Sequence, residues 1–133
     1  MSADLELILK HLNALIACDT SNPPRKIEES GLIKYLHSLD FIEPIVTDLG
    51  EGSFNIFLTK GSPNYLVNIH LDTVPAGDGW VSDPLNLVIK NERAIGLGAC
   101  DIKGAAACLL TLVEQGLKDY AILFSTDEVA GHS

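Results

Sequence analysis

Short apolar runs, too brief for helices and closed off by turn residues, constrain this chain more than any other feature. Residues 54–58 (FNIFL) and 65–69 (YLVNI) are largely apolar and bounded by Gly, Ser, Pro and Asn, and 121–124 (AILF) is a further apolar run, the form taken by strands buried inside a sheet. Segments of helical spacing accompany them. Residues 5–17 place Leu5, Ile8, Leu12, Leu15 and Ile16 mostly three or four apart, and residues 27–39 do the same with Leu32, Ile33, Leu36 and Leu39, each an amphipathic stripe. Residues 103–114 are rich in Ala and Leu and precede Gly116, which predicts a buried helix with a glycine at its C-terminus. Residues 41–46 read as extended, 75–84 as a loop, and 85–90 with 93–95 as a hairpin. Strands alternating with helices predict an α/β fold: a three-layer sandwich whose central sheet is mostly parallel and covered by helices on both faces.

A chain of 133 residues that is 47% apolar can bury one core, so a single domain is the starting expectation. A formal net charge of −9 argues against nucleic acid, whose phosphates demand clustered Lys and Arg. No run of roughly 18 apolar residues is present to span a bilayer, and the first ten residues, MSADLELILK, lack a signal-peptide pattern. No membrane partner is expected, and the reading is cytoplasmic. Cys18, Cys100 and Cys108 are odd in number and none pairs as CxxC, which fits buried thiols in a reducing compartment better than a disulfide framework.

In sheets of this kind ligands bind beyond the carboxyl ends of the strands, so polar residues just after an apolar run carry the chemistry. His70 and Asp72 follow the 65–69 run and are two apart, so on extended backbone they point to one face. An imidazole that binds metal usually needs an acceptor for its other nitrogen, and Asp72 is placed to be it. Alone, so short a motif better suits a solvated strand end. Ser125-Thr126-Asp127-Glu128 puts acids after the last strand, where a helix cap is the alternative. Between them, Asp101 lies in Gly96-Leu97-Gly98-Ala99-Cys100-Asp101-Ile102-Lys103-Gly104, either an inward ligand or a cap for the helix that follows. The glycine spacing does not fit a dinucleotide or phosphate loop.

Taken together, the run from His70 to Trp80, the glycine-rich segment 96–104 and the acids at 125–128 resemble the co-catalytic zinc family of acetylornithine deacetylase, succinyl-diaminopimelate desuccinylase, aminoacylase and glutamate carboxypeptidase. Leu97, and the Ser21-Asn22-Pro23-Pro24 loop, resemble most the branch of acetylornithine and acetylcitrulline deacetylases. The resemblance implies that residues 1–133 form part of that family's catalytic domain, without its lid and dimerisation domain or its C-terminal catalytic segment. It implies two zinc ions, or cobalt in their place, with His70 binding the first and Asp101 bridging both. Asp72 would orient His70, and Glu128 would be the general base. The substrate would be a small N-acyl amino acid, N-acetylornithine or N-acetylcitrulline in arginine biosynthesis, and the complete protein a homodimer. It further implies a cis peptide at Asp101-Ile102.

The sequence departs from the family in two ways. Where the family has a second glutamate that binds the second zinc, this chain has Val129; a register shifted by one, with Asp127 as base and Glu128 as ligand, would restore both roles. The family also continues further and supplies more ligands. With His70 and Asp101 alone the first site has two protein ligands where a catalytic zinc takes three, so weak metal binding and no useful turnover are expected of this chain by itself. Unpaired apolar strands would leave an exposed edge. A different class of reading is a non-catalytic remnant that acts only by association, and a dipeptide or N-succinyl amino acid is the alternative substrate. His11 and His37 lie on helical segments without a nearby acid and read as structural, His132 as frayed, Cys100 as no ligand and Lys103 as a solvated lysine.

Overall fold

The computed structural model describes residues 1–129, so His132 lies outside the described residues. The first helix, α1 (Ala3–Ala17), opens where Ser2 accepts a bond from the Leu5 N–H at 3.2 Å, with Asp4 and Glu6 in its first turn. Both features satisfy the free N–H groups and the positive end of the helix dipole. The segment expected as one helix over 27–39 is divided. A 3-10 turn (Ile27–Ser30) and α2 (Leu32–Ser38) meet at Gly31, whose φ of 86° lies in the left-handed region and breaks the i→i−4 ladder.

Strands β1 (Ile45–Gly50), β2 (Ser53–Lys60), β3 (Val67–His70) and β6 (Tyr120–Ser125) make one sheet in the order β1-β2-β6-β3. A separate hairpin joins β4 (Val88–Lys90) to β5 (Arg93–Ile95). A π-turn (Ala99–Lys103) leads into α3 (Gly104–Glu114), which ends at Gly116 as expected. The α/β class holds, but the sheet is mixed rather than mostly parallel. β1 with β2 and β2 with β6 are antiparallel, and only β3 with β6 is parallel. The tight Gly50–Ser53 turn between β1 and β2 makes a hairpin, which the pattern of apolar runs does not reveal.

One face of the sheet carries the core. Ile56, Leu58, Ile69, Ile122 and Phe124 share it through the register, and Leu15, Ile16, Leu36, Ala107 and Leu110 from the helices complete the same cluster. Burying each of the larger of these side chains is worth about 1.5–3 kcal/mol. On the opposite face Asn55, Phe57, Leu123 and Ser125 are half-buried and Asn68 is exposed. Among the described residues, then, the sheet and one helical layer are present. β1 and β3 are the sheet edges, and beside β3 the side chains of Tyr65, Leu66 and Val67 are exposed. No helix among the described residues is long and apolar enough to cross a membrane.

Two polar groups lock the helices together: Lys103 departs from the solvated reading, and His11 is structural as expected but fully buried. Lys103 is 1% exposed rather than solvated, and its Nζ donates to the Leu15 and Cys18 carbonyls at 2.8 and 2.9 Å. It thereby serves the C-terminal end of α1, whose last turn has no basic residue of its own. Burial pushes its pKa down to about 8, against the opposing pull of Cys18 and Asp19. His11 is fully buried; it lies 2.6 Å from the Tyr35 hydroxyl through Nδ1 and 2.7 Å from Glu114 Oε2 through Nε2. Its acidic partner is 103 residues away, out of reach of any local pattern. His37 is exposed on α2.

Glu114 gives this cluster a pH signature. Burial raises its pKa, but the hydrogen bond and charge of His11 and the charge of Lys10 outweigh that and hold it below the ordinary 4.5. A depressed carboxyl pKa contributes stability that is present above the unfolded-state value and lost as pH falls through the folded-state value. The urea midpoint is therefore expected to drop as the solution is acidified below about 4.5. Glu114→Gln should start from a lower midpoint at neutral pH and show a shallower acid loss. Parallel pH profiles in the two proteins would refute this role.

Candidate active site

Because β3 and β6 run parallel, their carboxyl ends lie side by side, and His70 stands opposite Ser125 in the register. The sequence places its strongest polar signals at these two ends, and the fold brings them together. Beyond His70 the chain leaves the sheet, and Asp72 turns fully inward at 0% exposure. Its carboxylate accepts from Asn22 Nδ2 at 3.0 Å, from the Glu128 N–H at 3.3 Å and from the Val129 N–H at 2.9 Å. His70 Nδ1 donates to the Asp72 carbonyl at 2.9 Å, with the carboxylate oxygen farther off at 3.4 Å. The simple expectation that the Asp72 carboxylate faces the histidine is thus modified: the backbone carbonyl fixes the imidazole, and the carboxylate chiefly holds the turn at 126–129.

Asp101 reaches the same point from the π-turn. Its φ and ψ, −123° and 82°, are not helical, and the Asp101-Ile102 peptide is cis. Gly98 enters this turn at φ 80°, where a Cβ would come within 2.6 Å of Thr73 Cγ2, so only glycine lets the segment lie against the His70–Thr73 strand end. The result is an Asp101 carboxylate, 83% exposed, with Oδ1 at 3.2 Å from His70 Nε2. His70 thus presents two nitrogens to two acceptor oxygens. The carbonyl takes a hydrogen from Nδ1, and the approach of Nε2 to a carboxylate is one that either a second imidazole hydrogen or a cation held between the two would satisfy. Two ligands about 2.1 Å from one tetrahedral zinc lie roughly 3.4 Å apart, close to the spacing found. In kind and spacing these donors fit a zinc ion. They do not complete its set, since no group of three or more His, Cys, Asp and Glu side chains converges among the described residues.

Glu128 is exposed on the turn after β6. Asp127, its neighbour, is paired with Arg25 Nη1, so the two acids are directed to different partners. Thr126 Oγ1 donates to the Phe54 carbonyl at 3.0 Å and accepts from the Phe54 N–H at 2.8 Å, which ties the turn to β2. Val129 is half-buried, and its backbone, not its side chain, is what the site uses. Only Cys18 is the buried thiol expected from sequence, since Cys100 and Cys108 lie at the surface, and among the described residues no metal-binding cluster includes Cys100. Asn22 and Arg25 are the two residues that sequence reasoning missed. Their signal was the Ser21-Asn22-Pro23-Pro24 loop, which the sequence tied to the deacetylase branch without giving any of its residues a role.

A parallel strand pair whose carboxyl ends carry HxD and an acidic turn, with an aspartate in a glycine-bounded π-turn, defines a class that the comparisons name. Residues 66–131 match peptidase family M20/M25/M40, and the chain belongs to that family. Among curated relatives, the chain is 46% identical to an N-acetyl-L-citrulline deacetylase of Xanthomonas campestris pv. campestris, over 92% of this chain and 34% of that protein. It is 34% identical to a succinyl-diaminopimelate desuccinylase of Nitrosococcus oceani, over 96% of this chain and 35% of that one. The fold is similar to that of a di-peptidase, Dug1p, from Saccharomyces cerevisiae, with a TM-score of 0.68 at 18% identity over 93% of this chain and 32% of that chain. The chain spans about a third of the length of the relatives it matches.

Proposed function

We propose that this chain supplies part of the active site of a metal-dependent amidohydrolase that removes the acetyl group from an N-acetyl amino acid, N-acetylcitrulline or N-acetylornithine. The observation that carries the reading is the approach of His70 Nε2 to Asp101 Oδ1 beside the turn that bears Glu128. The 46% identity to a citrulline deacetylase favours the acetyl substrate over a succinyl one. Zinc would be held by His70 and Asp101 together with ligands from outside the described residues, and when bound it would polarise the amide carbonyl and acidify a water. This chain's own residues do the rest. Asp72 and its carbonyl hold His70 in the tautomer that offers Nε2. Glu128 Oε takes a proton from the attacking water and returns it to the leaving amine nitrogen. The shifted register is the weaker assignment, because Asp127 is already committed to Arg25.

The test is hydrolysis by the protein at the length it has in its own cells. N-acetyl-L-citrulline and N-acetyl-L-ornithine are expected to be cleaved at a kcat/KM at least about tenfold above N-succinyl-diaminopimelate or a dipeptide. A preference for the succinyl substrate would overturn the acetyl assignment. The 133-residue chain by itself is expected to show no turnover and weak zinc binding, which His70→Ala abolishes in a calorimetric titration. Val129 favours a second reading, a non-catalytic remnant acting by association. Under that reading Val129→Glu in the native-length protein adds zinc and raises the rate; no gain in either removes the main support for decay.

A further inference from the structure

We propose that Arg25 is a positioning residue for Glu128, acting through Asp127, within a loop that clamps the acidic turn from two sides. The proposal rests on Glu128 being the general base. Among the described residues no hydrogen bond holds the Glu128 carboxylate itself, so its place is set by the backbone of residues 126–129. The loop over 20–25 grips that backbone at both flanks. On one side Asn22 Nδ2 donates to Asp72 Oδ2, and the same carboxylate holds the Glu128 and Val129 N–H groups. On the other side Arg25 Nη1 pairs with Asp127 Oδ1.

The loop is itself fastened. Thr20 Oγ1 donates to the Leu71 carbonyl at 2.6 Å, the Asn22 N–H to the Thr73 carbonyl at 2.8 Å and the Thr73 N–H to the Thr20 carbonyl at 3.0 Å. The Arg25 guanidinium, 11% exposed, is aimed before it meets Asp127, because Nε and Nη2 both donate to the Glu51 carbonyl at 3.1 and 2.9 Å. A planar fork held at two points presents its third donor in one direction, which a lysine cannot do. Arg25, Ser53, Asp127 and Glu128 border one cleft of about 480 Å³. The pair therefore sits against the acid it is inferred to place, rather than on a remote surface where an ion pair contributes little.

Amide hydrogen exchange, read by NMR on the 133-residue chain, separates a clamp from a general stabilising contact. In Arg25→Met, exchange at Glu128 and Val129 is expected to quicken at least about tenfold while Ile122 and Phe124 within β6 are unchanged. Arg25→Lys, which keeps the charge and loses the fork, should recover only part of the protection. If Arg25→Met exchanges faster everywhere, Asp127→Asn, close in shape, must give the same local effect. Unchanged rates at Glu128 and Val129 in both variants overturn the clamp. In the native-length protein Arg25→Met should lower kcat by about 10–100-fold with KM within about twofold, the mark of a misplaced group. A quickened turn with unchanged kcat overturns the link to Glu128. Absence of hydrolysis by the wild-type protein overturns the general-base reading instead, and the exchange rates still decide the clamp.

Discussion

Asp72→Ala is expected to destabilise the chain by about 3 kcal/mol or more. The wild-type carboxylate has no exposure and accepts from Asn22 Nδ2 and two backbone N–H groups. Alanine leaves all three donors without this acceptor, and each orphan costs about 1–3 kcal/mol where it is buried; Asn22 is buried, while the two turn N–H groups are part-buried. Partial collapse of the turn recovers some of this, so the sum is not additive. Asp72→Asn keeps one acceptor oxygen but turns an NH2 toward a donor, so an intermediate loss is expected. Urea unfolding of the three proteins measures both. A loss below about 1 kcal/mol for the alanine variant would mean that the turn is held elsewhere.

Glu128→Gln is expected to do the opposite: to lower kcat of the native-length protein by about 10²–10⁴-fold while leaving stability within about 0.5 kcal/mol. The side chain is exposed, and what the site uses structurally at this position is its backbone N–H, which glutamine retains. If the proposed role is right, the amide cannot accept the water's proton, and no other part of the site is disturbed. A drop below about tenfold would move the base elsewhere, with Asp127 the nearest acid. Because Asp127 is bound to Arg25, Asp127→Asn would then have to cost more than Glu128→Gln, and the two variants together decide the register.

The two expectations separate the labour of neighbouring acids. Asp72 is a buried acceptor whose loss is expected to be felt as folding energy, whereas Glu128 is an exposed group whose loss, under the proposed role, would be felt in chemistry. Between them lies Asp127, neither buried nor free. The dense polar net among residues 20–25, 70–73 and 126–129 is the physical reason that an acidic turn at a strand end keeps one shape without its own regular structure. The same net explains why the loop carries Asn-Pro-Pro-Arg. The prolines supply no N–H to satisfy, and Asn22 and Arg25 supply the donors that the two aspartates need.

Much of this was legible in the residues. Apolar runs marked β2, β3 and β6 to within a few residues, and helical spacing marked α1 and α3, because burial imposes a period of two on a strand and near 3.6 on a helix. HxD, the glycine-bounded Asp101 and the acids at 127–128 were each ambiguous alone and were found because their order along the chain resembles one family's pattern. Sequence by itself thus determined the α/β class, the family and the residues that carry polar chemistry. Tertiary structure alone decided that the sheet is mixed, that Lys103 is buried under the end of α1, and that His11 meets Glu114. It also decided that Asp127 turns to Arg25 while the Asp72 carboxylate holds the turn. Apart from the local β1–β2 hairpin, each of these joins groups dozens of residues apart, and a hydrogen bond or strand pairing across such a separation leaves no period in the chain for a reader of sequence to detect.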